Sequence, residues 1–408
     1  MKVLYISYDG MTDPLGQSQV IPYLIGLSQL GHQITIISCE KKDRFEKQNK
    51  FIVELLKSNN IAWHPVSYSK LPSVFAKQFN LNRINKKAFA LYKEKKFELV
   101  HSRSYMAALI GLKLKQKYGI KFIFDMRGFW ADERIDGGIW NLKNMIHKRI
   151  YNFFKKKEFE FLTNADYTVS LTQNAKEEIL SWPSFQKKEI PIDVIPCCVD
   201  LKLFSEKSIS HTKLNELQLV LKIEKNDLIL SYLGSIGTWY MLDEMLDFFK
   251  LLSSKKSNAK FLFITPDDKN LILSKAQLKG ISKEKLIIHS ASRNEVPLYL
   301  SLSHISVYFI KPLYSKKASS PTKTGEIMGM GIPIITNSGI GDSDRIISDS
   351  KAGMIINDFS NKEYLRIIDQ MDALLKTDKT MIKTAAENYF SLEKGVQLYA
   401  DVYRKLEK

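Results

Sequence analysis

The chain has little cysteine: Cys39, Cys197 and Cys198 are its three. Two are adjacent, which resists bridging, and none stands in Cys-x-x-Cys spacing, so neither zinc nor dithiol redox chemistry is expected. No run approaches the ~18 apolar residues that a membrane span requires. Met1-Lys2-Val3-Leu4-Tyr5-Ile6-Ser7 leads into a strand rather than a signal peptide, so cytoplasmic residence is expected. No Gly-x-Gly-x-x-Gly turn follows a strand with an acid about 20 residues on, which excludes a dinucleotide-dependent dehydrogenase. No repeat with a period of about 20 to 50 residues is present, which excludes a solenoid. Acid is also short, at 44 Asp and Glu against 61 Lys and Arg, a net charge of +17. An anionic partner is therefore expected, and without a nucleic-acid motif it is not expected to be nucleic acid.

At 408 residues, 44% hydrophobic and 26% charged, the chain can build two domains with sizeable cores. Strand and helix patterns alternate from the start, which predicts α/β architecture with parallel sheets. Strands are expected at 3–7, 33–38, 99–101, 121–125, 166–170 and 193–195, with a helix over Ser18 to Leu30. A charged, Ser- and Lys-rich segment runs from Phe204 to Asp227, and a fresh pattern opens at Leu228. The domains expected are 1–205, joined by a terminal helix within 388–408, and 206–387. Further strands are expected at 228–234, 260–265, 285–289, 305–309, 332–336 and 353–356.

The most informative stretch is Ser319 to Thr336. Ser320 suits an N-cap and Pro321 the first helical position, so the first-turn amides, with Thr322 among them, can face an anion. Lys323 stands beside them. Glu326, three residues on, lies near the same face, where a carboxylate can accept hydrogen bonds from ribose hydroxyls. Gly329, Gly331 and Pro333 then end the helix before Ile334-Ile335. An ordinary capped helix ahead of a core strand is the competing reading. Earlier, Tyr232-Leu233-Gly234-Ser235-Ile236-Gly237-Thr238 follows a strand with two glycines and two hydroxyls, a composition suited to amide contacts with a diphosphate.

Across 140–161, Ile146, Ile150, Phe153, Phe154 and Phe161 recur near helical spacing, with Lys143, Lys148, Arg149, Lys155, Lys156 and Lys157 on the polar surface. Such a helix can rest on an anionic membrane, or turn its apolar stripe to the core and its lysines to water. Both readings stand.

Glu326-Ile327-Met328-Gly329-Met330-Gly331-Ile332-Pro333-Ile334 resembles the donor-site motif of the retaining GT-B glycosyltransferases of family 4. Their usual first Glu falls at Ala318, and Ser320-Pro321-Thr322-Lys323 is similar to the Ser-Pro-x-Lys of one branch. Leu30-Gly31-His32-Gln33-Ile34 resembles the family's signature after its first helix. Val194-Ile195-Pro196-Cys197-Cys198-Val199-Asp200 with Phe204 resembles its hinge. The resemblance implies a GT-B fold, two Rossmann-like domains facing a cleft, and a terminal helix returning to the first domain. It implies retention of anomeric configuration, with helix dipoles and cations rather than a metal offsetting the diphosphate, and no cofactor beyond the UDP- or GDP-sugar substrate. The family's Arg and Lys after Gly234 are missing, so Lys323 and Arg293 are expected to compensate, with the backbone near Val296 reading the base. Arg293 could equally pair with Glu295 on the surface.

In the first half, Asp9, Gly16 and Gln17 occupy what resembles the family's Gly-rich first loop, where Gly16 would let backbone approach a ligand and Ser18 would cap the helix. Arg103 and the Asp125–Arg134 segment follow predicted parallel strands, where ligands bind in such sheets. Asp125 is expected to orient a hydroxyl, Arg127 to hold a phosphate or carboxylate, and Trp130 to stack on a sugar. An internal ion-pair network is the competing reading. The expected reaction is transfer of a sugar to a lipid-linked or cell-surface polysaccharide acceptor, peripheral on the inner face of the membrane. Alternatives are a non-catalytic partner subunit and a sugar-nucleotide epimerase.

Overall fold

Apolar runs with buried Ser or Thr at intervals are what strands covered on both faces require, and they assemble into two parallel sheets. The computed structural model describes residues 1–69, 73–186 and 188–407, with backbone alone at 73–76. Two compact units result, Met1–Pro196 with Leu392–Lys408, and Cys197–Ser391.

The first unit holds seven strands: β1 Lys2–Ser7, β2 Gln33–Glu40, β3 Ala62–Ser67, β4 Leu99–Arg103, β5 Lys121–Asp125, β6 Tyr167–Ser170 and β7 Ile192–Val194. Their order is β3-β2-β1-β4-β5-β6-β7. β3 is not among the strands expected from sequence. It carries Pro65, which a sheet tolerates at an edge, and β3 is an edge strand. The second unit holds β8 Leu228–Leu233, β9 Ala259–Ile264, β10 Leu286–His289, β11 Ile305–Tyr308, β12 Ile334–Asn337 and β13 Gly353–Ile356, in the order β10-β9-β8-β11-β12-β13. All six residues of β8 are buried, and Ser231 among them donates to the Ile305 carbonyl at 3.4 Å. Phe261 and Phe263 of β9, with Phe248 and Phe249 of the helix Leu242–Lys255 in the same core, are without exposure, each worth about 1.5–3 kcal/mol of burial. In each sheet the strand order reverses at the first strand, between β1 and β4 and between β8 and β11. There the loops at the carboxyl ends diverge and leave room for ligands.

The division falls at Pro196/Cys197, ahead of the boundary expected at 205, because Val199 and Phe204 are buried in the second unit's core. The helix expected over Ser18 to Leu30 is two pieces, Pro14–Gln19 and Ile21–Gln29. Pro22 in the first turn of the second piece cannot donate backward, so the helix restarts there. Ser18 consequently lies inside the first piece and caps nothing. The terminal helix Leu392–Glu407 packs on Ile21–Gln29 in the first unit. Gly26 permits this approach, since a Cβ there would stand 2.6 Å from a Val396 methyl.

Candidate functional site

Asp9, Arg103, Asp125 and Arg127, four of the residues expected to bind ligand in the first unit, gather at the carboxyl ends of β1, β4 and β5. Arg103 pairs with Asp9 at 3.1 Å, and Arg103 is the register partner of Asp125 across β4 and β5. Asp125 is 1% exposed. Its carboxylate accepts from the Tyr399 hydroxyl at 3.1 Å, with His101 Nε2 at 3.6 Å and the Arg127 guanidinium at 3.7 Å. Burial alone would raise its pKa, but Arg127 and His101 outweigh burial and hold it below the ordinary value. Asp125, expected to orient a hydroxyl, is thus enclosed by Tyr399, His101 and Arg127, and its Oδ1 accepts no hydrogen bond. His101 in turn meets the Tyr403 hydroxyl through Nδ1 at 2.8 Å. Ser104 and Arg127, directly after β4 and within one turn of β5, have φ of 67° and 58°. Such non-glycine values cost about 1–3 kcal/mol each and concentrate where function requires them.

Other expected residues lie elsewhere or act differently. Trp130 stacks on Tyr105 at 5.8 Å, meets Phe154 at 4.7 Å, and carries the Arg134 guanidinium over its ring at 4.9 Å. The ring expected to stack on a sugar is part of this cluster. Gly16 serves the loop itself, because a Cβ there would overlap the Gly10 carbonyl. Gln17 donates to the Thr12 carbonyl at 3.2 Å. Glu40, which sequence reasoning did not single out, organises this loop by accepting from the Met11 amide at 2.7 Å, the Thr12 amide at 3.1 Å and the Thr12 hydroxyl at 2.5 Å.

The second unit brings Gly234, Lys323, Glu326 and Arg293 together. The helix is Thr322–Gly329 and Pro321 holds the N-cap position, one residue later than expected. Ser320 accepts from the Cys197 amide at 3.1 Å instead of capping. Of the first-turn amides, that of Thr324 donates to the Pro321 carbonyl at 3.0 Å, which leaves those of Thr322 and Lys323 without an intrahelical acceptor. Lys323 follows, 7% exposed, with Nζ 3.6 Å from the centre of the Tyr240 ring and 4.3 Å from that of Tyr232. A Cβ at Gly234, whose φ is +106°, would come within 3.2 Å of that Nζ. Burial drives the Lys323 amine well below lysine's ordinary pKa, with Glu326 opposing.

Glu326 accepts from Arg293 at 2.8 Å, so Arg293 pairs with the site's own acid, while Glu295 accepts from the Ser292 amide and hydroxyl. Burial raises the Glu326 pKa despite Arg293 and Lys323. Val296 opens the short helix Val296–Leu300 and is buried. Ser235 donates to Asp267 at 2.9 Å, and the Ile236 amide also donates to Asp267, so a carboxylate already holds the turn expected to meet a diphosphate. Gly237 and Thr238 are exposed, and a Cβ at Gly237 would meet nothing within 4 Å. Tyrosines 232, 240 and 308, which surround Lys323, carried no distinguishing signal beyond their places in or after apolar strands.

The helix Met145–Asn164 contains most of the basic stretch expected at 140–161. Its stripe divides: Phe154 and Phe161 are buried, whereas Met145 and Ile146 are 69% and 60% exposed and Phe153 is also exposed. Lys155 bonds to Asp132 at 2.9 Å and to Glu158, and Lys157 to Glu160 at 2.6 Å. Lys143, Lys148, Arg149 and Lys156 are exposed. Among the described residues no helix is long and apolar enough to cross a membrane.

Both halves match family models: residues 20–203 that of glycosyltransferase family 4, and residues 215–388 that of the glycosyl transferases group 1. Similar solved structures cover nearly the whole chain. Sucrose-phosphate synthase from Thermosynechococcus elongatus superposes with a TM-score of 0.75 at 13% identity, covering 100% of this chain and 99% of that one. A glycosyltransferase from Rickettsia africae gives 0.71 at 18%, covering 100% and 98%. Anabaena HepE in complex with UDP-glucose gives 0.70 at 12%, covering 99% and 100%. No curated protein matches the sequence. The fold is thus the α/β GT-B class. The chain belongs to the group 1, family 4 glycosyltransferases.

Proposed function

We propose that this protein transfers a sugar from a nucleotide sugar, a UDP- or GDP-sugar, to a hydroxyl of a lipid-linked or cell-surface polysaccharide acceptor, with retention and without a metal. The observation that carries the donor half is Lys323: a buried amine with no carboxylate partner among the described residues, beside Gly234 and the open start of a helix. An arriving diphosphate supplies the missing counter-charge, and the helix amides add to it. Glu326, aimed by Arg293, accepts from the ribose hydroxyls, and the backbone near Val296 meets the base. In support, HepE, of the same fold, is described in complex with UDP-glucose.

In the reaction the bond between the anomeric carbon and the diphosphate oxygen breaks. The acceptor oxygen bonds that carbon on the same face, and its proton passes to the departing phosphate oxygen. Lys323 and the helix start stabilise the charge that develops on the diphosphate. Asp9, Arg103 and Arg127 bind the acceptor, with Asp125 as the positioning residue behind Arg127. The exposed apolar residues of 139–153, with Lys143, Lys148, Arg149 and Lys156, rest on an anionic membrane surface, on its cytoplasmic side.

Incubation with candidate sugar nucleotides and a lipid extract, followed by NMR, tests the reaction. Release of nucleoside diphosphate with an anomerically retained product, insensitive to EDTA, is expected. An inverted anomer or loss of turnover on chelation contradicts this account of the chemistry.

A further inference from the structure

We propose that Lys323 stands in the ligand-free site as a neutral amine and takes up one proton as the phosphate of a nucleoside diphosphate enters, so that donor binding captures a proton. The inference rests on the donor-site reading above.

Every group facing the amine is uncharged at neutral pH or already engaged. Tyr232 on β8 lies with its ring centre 4.3 Å from Nζ and its hydroxyl 3.3 Å away. Tyr240, in the loop after β8, lies at 3.6 Å, and Tyr308 on β11 at 5.7 Å. Tyr232 donates its own proton to the Ser235 carbonyl at 2.6 Å, and the Tyr308 hydroxyl is engaged with Thr324 at 2.7 Å. Burial pushes all three phenols upward, so none offers a phenolate. The one acid on the lysine's own helix face, Glu326, is held by Arg293 at 2.8 Å. Asp267, the acid that acts on Tyr232, is committed to Ser235 and the Ile236 amide. Gly234 adds no side chain.

An ammonium enclosed in this way would be largely stripped of water with no carboxylate in salt-bridge contact, which burial strongly disfavours. Ring faces offset this only in part, because they present partial charge and not an anion. The neutral amine avoids the penalty, consistent with the strong downward push of burial on this group. A phosphate at the helix start reverses the balance by supplying the anion. The step is Lys–NH2 plus a solvent proton to Lys–NH3+, and the proton returns to solvent when the nucleoside diphosphate departs. Affinity for a fully ionised phosphate should therefore rise as pH falls between the bound and free pKa values, up to tenfold per pH unit, and level off once the free amine is already protonated.

Isothermal titration of the full chain with UDP and GDP near pH 8, in HEPES and in Tris, reads the proton directly. The observed enthalpy varies with buffer ionisation enthalpy, and the slope is the number of protons taken up. A slope near one is expected, reduced in Tyr240→Leu, which admits water to the amine. Lys323→Arg, always charged, should show none. Binding with a slope near zero in the unaltered protein overturns proton capture and leaves the donor reading standing. A full slope in Lys323→Arg assigns the proton to another group and likewise overturns it. Failure of every nucleotide to bind removes both.

Discussion

Arg293 grips Glu326 at 2.8 Å across 33 residues of sequence, and its guanidinium also lies 5.3 Å from the centre of the Phe204 ring. The pair fixes where the buried carboxylate points and opposes the upward push of burial on its pKa.

Removing the guanidinium should therefore weaken nucleotide binding without direct contact loss. Arg293→Ala forfeits a charged hydrogen bond worth about 1.5–3 kcal/mol and raises the Glu326 pKa further. Loss of UDP or GDP affinity by about tenfold or more is expected, larger at pH 6 than at pH 8, because the carboxyl must be ionised to accept. A loss independent of pH would contradict this role.

Asp125 provides a second pH signature, opposite in cause. Its folded-state pKa lies below the ordinary 3.8, so its ionised contacts stabilise the protein above that value and are lost as pH falls through the lower folded value. Asp125→Asn should cost roughly 1–3 kcal/mol at neutral pH, read by urea unfolding, and the difference from the unaltered protein should shrink below about pH 4. Transfer should be lost while nucleotide binding persists. Unchanged turnover would remove Asp125 from the acceptor machinery.

Gly26 and Val396 test the seating of the terminal helix. Gly26→Val overpacks that contact and should cost about 1–3 kcal/mol, lowering the melting temperature. Val396→Ala should restore part of the loss in the double variant. Additive losses would show that the two do not meet.

On anionic vesicles, Lys148→Glu with Arg149→Glu and Lys156→Glu should abolish flotation, as should Ile146→Ser with Phe153→Ser. Flotation should also fall with added salt. Lys155 is unsuited to this test, since its ammonium is bound to Asp132 and Glu158. Equal flotation of all variants would discard the membrane surface.

Much of the fold was legible because buried parallel strands write themselves as apolar runs: β8 and β11 are plain in the sequence. β3 was not, because an edge strand holding Trp63, His64 and Pro65 lacks that run. At the site, Lys323 and Glu326 were legible from their spacing after Pro321. Their partners were not, since Arg293 to Glu326 and Tyr399 to Asp125 are contacts across 33 and 274 residues that no local pattern encodes. Tyr399, on the terminal helix, carries an apolar ring and a hydroxyl, and nothing local in the sequence says that the hydroxyl meets Asp125. The basic helix left both of its readings open for a related reason: spacing marks a stripe, but only packing decides that Phe154 turns inward and Ile146 outward.

The central claim, a nucleotide-sugar donor site built on Lys323 and Glu326, is tested most directly by calorimetric titration with UDP, GDP, CMP, dTDP, ADP and NAD, with Glu326→Ala alongside. Selective binding of UDP or GDP, lost or weakened at least tenfold in the variant, is predicted. Absence of binding, or binding indifferent to Glu326, would contradict the account.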